Sequence, residues 1–336
     1  MRPKEYRIKE LLRKKGLDGA IVSSPENFHY VTGFGGHQHT VSRQPGFTLA
    51  VMRADDKVPT HLTTMDFEAA TFRIKAAGLN FVVDPYDTWV GLKTWDEIAH
   101  GAVVPDKTAM ESSMDKLVQF MKACNLANKK VGVELDYLPV PYYKSLTEKF
   151  PEAEFVDISD LFVYARSVKQ PDEIEMFRKL CRIADHGFTE VSKIAKIGVS
   201  ERELVQCFRE DVIKSGFCAP SSWSMFSTGP SSARLTLPGD GVVKDGDVVK
   251  FDAGVNAEFD FYTTDTSRAW IIGNGDPALL KLKDRLYEGQ RRMIAAAKPG
   301  LPINELYHTA YDYVKEMFPC YRRGHQGHSI SMGPAT

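Results

Sequence analysis

Two aspartates and two histidines in the last third of the chain are the residues best suited to do chemistry. Asp252 stands in GVVKDGDVVKFDAGV (241–255), Asp265 in FYTTDTSRAWII (261–272), and His325 and His328 in the closing run RRGHQGHSISMGPAT. Hydrolysing a stable amide at neutral pH benefits from a bound metal, which lowers the pKa of water and polarises the scissile carbonyl. Two ions about 3.5–4 Å apart can hold both the nucleophile and the developing oxyanion. Ions such as Mn(II) or Co(II) suit a donor set of carboxylate oxygen and imidazole nitrogen. Each feature alone has a plainer reading. An Asp before Ala-Gly at a strand end serves as a turn or cap residue, and a His-Gly pair is a loop histidine. TTDTSR alone is a surface strand whose Asp–Arg ion pair contributes little. Occurring in this order within a hairpin and a following loop, the three together point to a site.

The elements that must position these groups can be read from periodicity. The turn at Lys244–Gly246 is followed by Val248, Val249 and Phe251 leading to Asp252, and 261–272 returns as the second arm of a hairpin with a longer loop. Because alternate residues of a strand share a face, Asp252 and Asp265 can project from one side of the sheet. Two helices precede the hairpin. The first has Pro171 in its first turn, acids at Asp172, Glu173 and Glu175, and apolar Ile174, Phe177, Cys181, Ala184 and Phe188 at helical spacing up to Gly198. In the second, Ser200 and Glu203 form a capping box, with Val199 and Leu204 placed as a hydrophobic staple.

Upstream, 5–15 reads as an amphipathic helix stopped by Gly16, and 17–24, 47–52, 81–86 and 130–139 as strands. The segment 25–34 reads as a turn, and 114–130 as a helix. Strands alternating with helices predict an α/β layer domain over 1–162 and a second, α+β domain over 163–336.

Composition excludes several classes. The 336 residues exceed the size at which single cores tend to divide, and 43% hydrophobic with 26% charged residues argues against disorder. Lysine plus arginine number 43 against 44 acids, so no global field recruits nucleic acid or an anionic membrane. No apolar run approaches a membrane span, and the charged start MRPKEYRIKELLRKKG lacks the apolar stretch of a secretory signal. The five cysteines, odd in number and without a CxxC pair, read as buried or half-buried free thiols in a reducing compartment, so a cytoplasmic location is expected. His29, His37 and His39 read as loop histidines of the first domain, with GGHQH within reach of a neighbouring subunit's cleft in a dimer.

KDGDVVKFDAG, YTTDTSRAW and GHQGHSIS together resemble the motifs of the creatinase/prolidase/methionine aminopeptidase family, M24, whose catalytic domain has the pita-bread fold. The likeness extends through RIKELLRKKGLDGAIVSSPENFHYVTGF, similar to the opening of a creatinase-type N-terminal domain. It continues in VKQPDEIEMFRKLCRIADHGF, GVSERELVQCF and GPSSARLTLPGDGVVKDGDVV. The resemblance implies a two-domain subunit that dimerises and holds two divalent ions, Mn or Co first and Zn or Fe as further candidates. Asp252 would bind one ion, Asp265 would bridge both, and His328 would be the imidazole ligand. His325 would contact substrate and assist proton movement. The implied reaction is hydrolysis of Xaa-Pro bonds in di- or short peptides. Trp223 is a candidate for lining the substrate pocket.

The sequence departs from the family pattern in three places. Asp252 and Asp265 are thirteen residues apart, two more than the pattern has; lengthening each hairpin arm by one residue preserves both faces. ARLTLPGDG carries Arg234, Leu235 and Thr236 where peptidases of the family place a substrate-binding histidine, and Arg234 is a candidate for recognising a carboxylate instead. Finally, the family's two glutamate ligands follow the histidine turn, and 1–336 offers no residue for them. Three side chains stand where a dinuclear site wants five, and a piece of a longer protein is expected rather than a mature pseudoenzyme. Two alternatives stay open: hydrolysis of a non-peptide C–N bond on the same fold, and an inactive homologue that binds peptide.

Overall fold

The computed structural model describes residues 2–88, 94–102, 112–221, 224–233 and 236–333. The chain divides into two compact units, Met1–Val168 and Lys169–Thr336.

In unit 1 the strands are β1 (Gly19–Val22), β2 (Leu49–Arg53), β3 (Thr60–Thr63), β4 (Phe81–Val83), β5 (Lys130–Val133) and β6 (Glu154–Asp157). They form one mixed sheet in the order β4-β3-β2-β1-β5-β6. β1 runs antiparallel to β2 and parallel to β5. The helices are α1 (Pro3–Lys14), α2 (Pro25–Thr32), α3 (Ala69–Ala76), α4 (Trp95–Ala99), α5 (Ser113–Ala123), α6 (Val140–Lys149) and α7 (Ser159–Ser167). One core cluster joins Ile21, Leu49, Val51, Val131 and Val133 of the sheet to Leu117, Phe120 and Met121 of α5. Burying each of the large side chains contributes about 1.5–3 kcal/mol before the entropy of ordering is subtracted. Among the described residues no helix is long and apolar enough to cross a membrane.

Two expectations for unit 1 need correction. Segment 25–34 is mostly helix rather than turn. Ser24 accepts the Asn27 N–H as N-cap, Pro25 opens the first turn, and Gly33, at φ 82°, closes the helix in the left-handed region. His39, expected as a loop histidine, is part of a helical turn. It lies fully buried in a short π-helical turn, Gln38–Ser42, with Nε2 2.8 Å from the Ser23 carbonyl oxygen, and burial pushes its pKa down to about 4. Nor are all the thiols covered: Cys320 is exposed, while Cys124 and Cys218 are buried.

Unit 2 opens with α8 (Pro171–Ile194) and α9 (Glu201–Lys214), each with a capping box at its start, Gln170 with Glu173 and Ser200 with Glu203. Gly187 lets the two helices approach closely, since a Cβ there would stand 2.8 Å from the Phe208 ring. The strands are β7 (Cys218–Pro220), β8 (Met225–Thr228), β9 (Val248–Ala253), β10 (Val255–Ala257) and β11 (Thr266–Ile271). They make a three-stranded antiparallel sheet, β11-β9-β8, and a two-stranded one, β10-β7. The helices rest on one sheet face through a ring cluster. Phe251 of β9 meets Phe208, Phe188 and Phe226 at centroid separations of 5.0, 5.4 and 4.9 Å. Helices α10 (Pro277–Ala296) and α11 (Ile303–Met317) pair with each other, Gly289 lying under Val314.

Candidate active site

The alternation of β9 separates structure from chemistry. Val249, Phe251 and Ala253 are buried, whereas Val248, Lys250 and Asp252 are only partly covered. The Phe251 side is taken by the helices, so the Asp252 side is the face left for a site.

Asp252 pairs with Ser267 of β11 on one flank and with Met225 of β8 on the other. The β9–β11 register continues past the named strands, through a Thr264 N–H donated to the Val255 carbonyl and an Asn256–Thr263 bridge. Asp265 is therefore two residues before the partner of Asp252 and on the same face, a diagonal neighbour within side-chain reach. The longer spacing between the two aspartates sits in continuous hairpin arms and turns neither side chain away. Protonated Asp252 donates to the Asp265 carboxylate; burial first, then the Asp265 charge and this bond, push the Asp252 carboxyl up to about 6.

His328 arrives from a later segment. Its Nε2 is 2.9 Å from Asp265 Oδ2, and its Nδ1 is 3.0 Å from the Ser329 carbonyl oxygen. The chain beyond it lies along the strand that precedes Asp265: Met332 bridges Tyr262, the Thr263 N–H donates to Ser331 O at 3.4 Å, and the Gly333 N–H donates to Phe261 O at 2.7 Å. His325 is exposed, its ring centroid 6.3 Å from that of His328. The structure thus brings Asp252, Asp265 and His328 together through Asp265 and leaves His325 at the rim. Trp223 and Arg234 lie outside the described residues. Among the described residues no group of three or more His, Cys, Asp or Glu closes into a metal cluster, so the three meet as two pairs sharing Asp265.

Arg268 does not pair with Asp265. On the opposite face of β11 it donates to Asp185 of α8 at 2.6 Å and lies 5.3 Å from the Phe188 ring centroid, which corrects the local Asp–Arg reading of TTDTSR. Three further residues hold the site face in place. Glu173 is buried, and while one oxygen caps α8 the other accepts the Tyr262 hydroxyl at 3.0 Å, fixing the arm that leads to Asp265. Glu201, also buried, accepts the Thr228 N–H at 2.9 Å and the Gly239 N–H at 2.7 Å, anchoring the end of β8. Ser221 exchanges bonds with Gly254 just beyond Asp252, both at 2.9 Å. Sequence signalled Glu173 only as a helix-start acid and did not single out Glu201, because their partners are far along the chain. A cavity of 960 Å³ lies elsewhere, lined by Arg202, Gln206, Cys207, Leu237 and neighbours, and includes none of the four candidate residues.

The donor chemistry fits a divalent cation. Two carboxylates pressed together are relieved by positive charge between them. An imidazole whose Nδ1–H is held by a backbone carbonyl presents Nε2 as a ligand.

Both units have counterparts among known proteins. Residues 175–334 match the metallopeptidase family M24, and residues 6–168 match the creatinase/prolidase N-terminal domain. The chain is 24% identical over 331 residues to the uncharacterized peptidase YqhT of Bacillus subtilis (strain 168), covering 97% of this chain and 81% of that protein. It is likewise 24% identical over 330 residues to an Xaa-Pro dipeptidase of Lactobacillus delbrueckii subsp. lactis, again covering 97% and 81%. Among solved structures, an Xaa-Pro dipeptidase from Bacillus anthracis superposes with a TM-score of 0.78 at 22% identity, covering 99% of this chain and 83% of that one. The prolidase from Pyrococcus horikoshii OT3 gives 0.74 at 20%, with the same coverages.

Proposed function

The chain belongs to metallopeptidase family M24, with a creatinase/prolidase N-terminal domain ahead of the peptidase domain, and we propose that it hydrolyses Xaa-Pro bonds in di- or short peptides with a divalent metal. The observation that carries this reading is the meeting of Asp252, Asp265 and His328 on one sheet face, with Asp265 in contact with both others.

In this reading Asp252, Asp265 and His328 are the protein's metal donors, and Asp265 is the shared one. Mn or Co suits this oxygen-rich set with one imidazole. The bound metal supplies Lewis-acid polarisation of the scissile carbonyl and acidification of water. With Nδ1 turned to the Ser329 carbonyl, the His328 ring directs Nε2 at Asp265, the side on which a metal would be held. His325, exposed and with its ring centroid 6.3 Å from that of His328, would orient substrate and carry a proton to the leaving amine at an imidazole nitrogen. The Phe251 cluster beneath the sheet keeps the carboxylate face rigid.

Cleavage of a panel of Xaa-Pro di- and tripeptides with Mn(II) or Co(II) added tests the proposal. Release of proline from Xaa-Pro, abolished by chelator and lowered at least about a hundredfold in His328→Ala, is expected, since such a change removes a metal donor. No metal-dependent cleavage across the panel contradicts it, and turnover confined to non-peptide C–N substrates would move the reading to another branch of the family.

A further inference from the structure

Residues 321–330, which carry both candidate histidines, form no helix or strand. Backbone carbonyls in such a run have no ladder to bond to and need partners from elsewhere. Tyrosines of α11 supply them. Tyr307 and Tyr311 are four residues apart on one helix face and stack, their ring centroids 5.0 Å apart at 21°. The Tyr307 hydroxyl donates to Arg323 O at 2.8 Å, and the Tyr311 hydroxyl to Tyr321 O at 3.3 Å. Tyr321 continues the ladder, its ring centroid 5.5 Å from that of Tyr311 and its hydroxyl donating to Gln326 Oε1 at 3.1 Å. The helix that carries the ladder is itself anchored, with Ala310 and Val314 buried beside Gly289 of α10.

We propose that Tyr307 and Tyr311 are positioning residues that hold the histidine turn against Asp265, with Tyr307 setting the place of His325. The turn is pinned at two ends, Arg323 by the Tyr307 hydroxyl and His328 by the Asp265 carboxylate. His325 lies between these pins, and Arg323 relays the first of them to it, since the Arg323 Nε–H donates to His325 O at 3.0 Å. Loss of the Tyr307 hydroxyl therefore frees His325, while His328 keeps its own contacts with Asp265 and the Ser329 carbonyl. A group that transfers a proton works only within hydrogen-bond reach of it, so a displaced His325 lowers turnover rather than metal affinity. The catalytic consequence rests on the peptidase reading; the tether does not.

Limited trypsin digestion of the native full chain reads the tether. Arg322 and Arg323 are exposed in the turn, and exposed Lys196, between α8 and α9, is the internal reference. Cleavage after Arg322 and Arg323 is expected to be about two- to tenfold faster in Tyr307→Phe, the opening equivalent of one neutral hydrogen bond. It should be faster again in the double variant Tyr307→Phe/Tyr311→Phe, with cleavage after Lys196 unchanged. Phenylalanine keeps the stacked ring, so the hydroxyl alone is removed. Hydrolysis of Ala-Pro reads the consequence. In Tyr307→Phe kcat should fall about ten- to one-hundredfold, with KM and calorimetric Mn(II) affinity within about twofold of wild type, whereas a general loosening would move all three. Equal cleavage of the turn in wild type and variant overturns the proposal. So does equal acceleration after Lys196, or an unchanged kcat while the turn opens. If the wild-type protein cleaves no peptide but the turn opens in the variant, the tether stands and only the peptidase reading fails. If peptides are cleaved and the turn stays closed, only the tether fails.

Discussion

Asp252 and Asp265 press two carboxyl groups against each other, and Asp252 holds its proton to a higher pH than an ordinary carboxyl. Its pKa rises from an ordinary 3.8 to about 6, chiefly by burial and then by the Asp265 charge. The raised value fixes the sign of a pH effect. Between about 4 and about 6 the native state holds a proton at Asp252 that the unfolded chain has released, so this group's contribution to stability falls as pH rises through that window and is constant above it. With chelator present, urea unfolding of Asp252→Asn should lack this part of the wild-type slope, and identical slopes for the two proteins would contradict the assignment. The pairing of these residues was legible in the sequence, because strand alternation and hairpin register are short-range properties. The contact of Asp265 with His328 was legible only through resemblance, since nothing local says where a loop sixty-three residues later returns.

The elements that hold these residues were readable where they carry end signals. The capping boxes at 170–173 and 200–203 announced α8 and α9, and the turn before Val248 announced β9. Short elements were harder: α2 has eight residues behind a Pro-Glu-Asn start that also suits a turn, and β3 and β6 have four each, too few for a period. Buried carboxylates that tie distant segments were not readable at all. In unit 1, Glu134 is fully buried and accepts the Ser23 and Ser24 N–H groups at 2.5 and 3.1 Å, the Ser24 hydroxyl at 2.7 Å, and the Asn27 amide. It thereby joins the end of β5 to the start of α2. Glu134→Gln turns an acceptor into a donor facing donors, and should cost about 1–3 kcal/mol in the unfolding of unit 1. A change within about 0.5 kcal/mol in chemical denaturation, the size typical of surface substitutions, would show that the cluster adds little.

For the molecule as a whole, the nearly balanced charge of 43 basic and 44 acidic residues leaves no global field, so recognition must come from local groups. The groups proposed for it lie in unit 2, where Asp265 contacts both Asp252 and His328. The family match spans both units, and likeness to solved prolidases runs through 99% of the chain, while the two aspartates and the histidine turn come together within unit 2 alone. In the proposed reading these three side chains hold a catalytic divalent metal, with Asp265 as the shared donor. Calorimetric titration of the full chain with Mn(II) tests it most directly. Saturable binding by the wild-type protein is expected, weakened at least about a hundredfold, or roughly 2.7 kcal/mol, in Asp265→Asn. No binding by the wild-type chain, or equal binding by the variant, would contradict it.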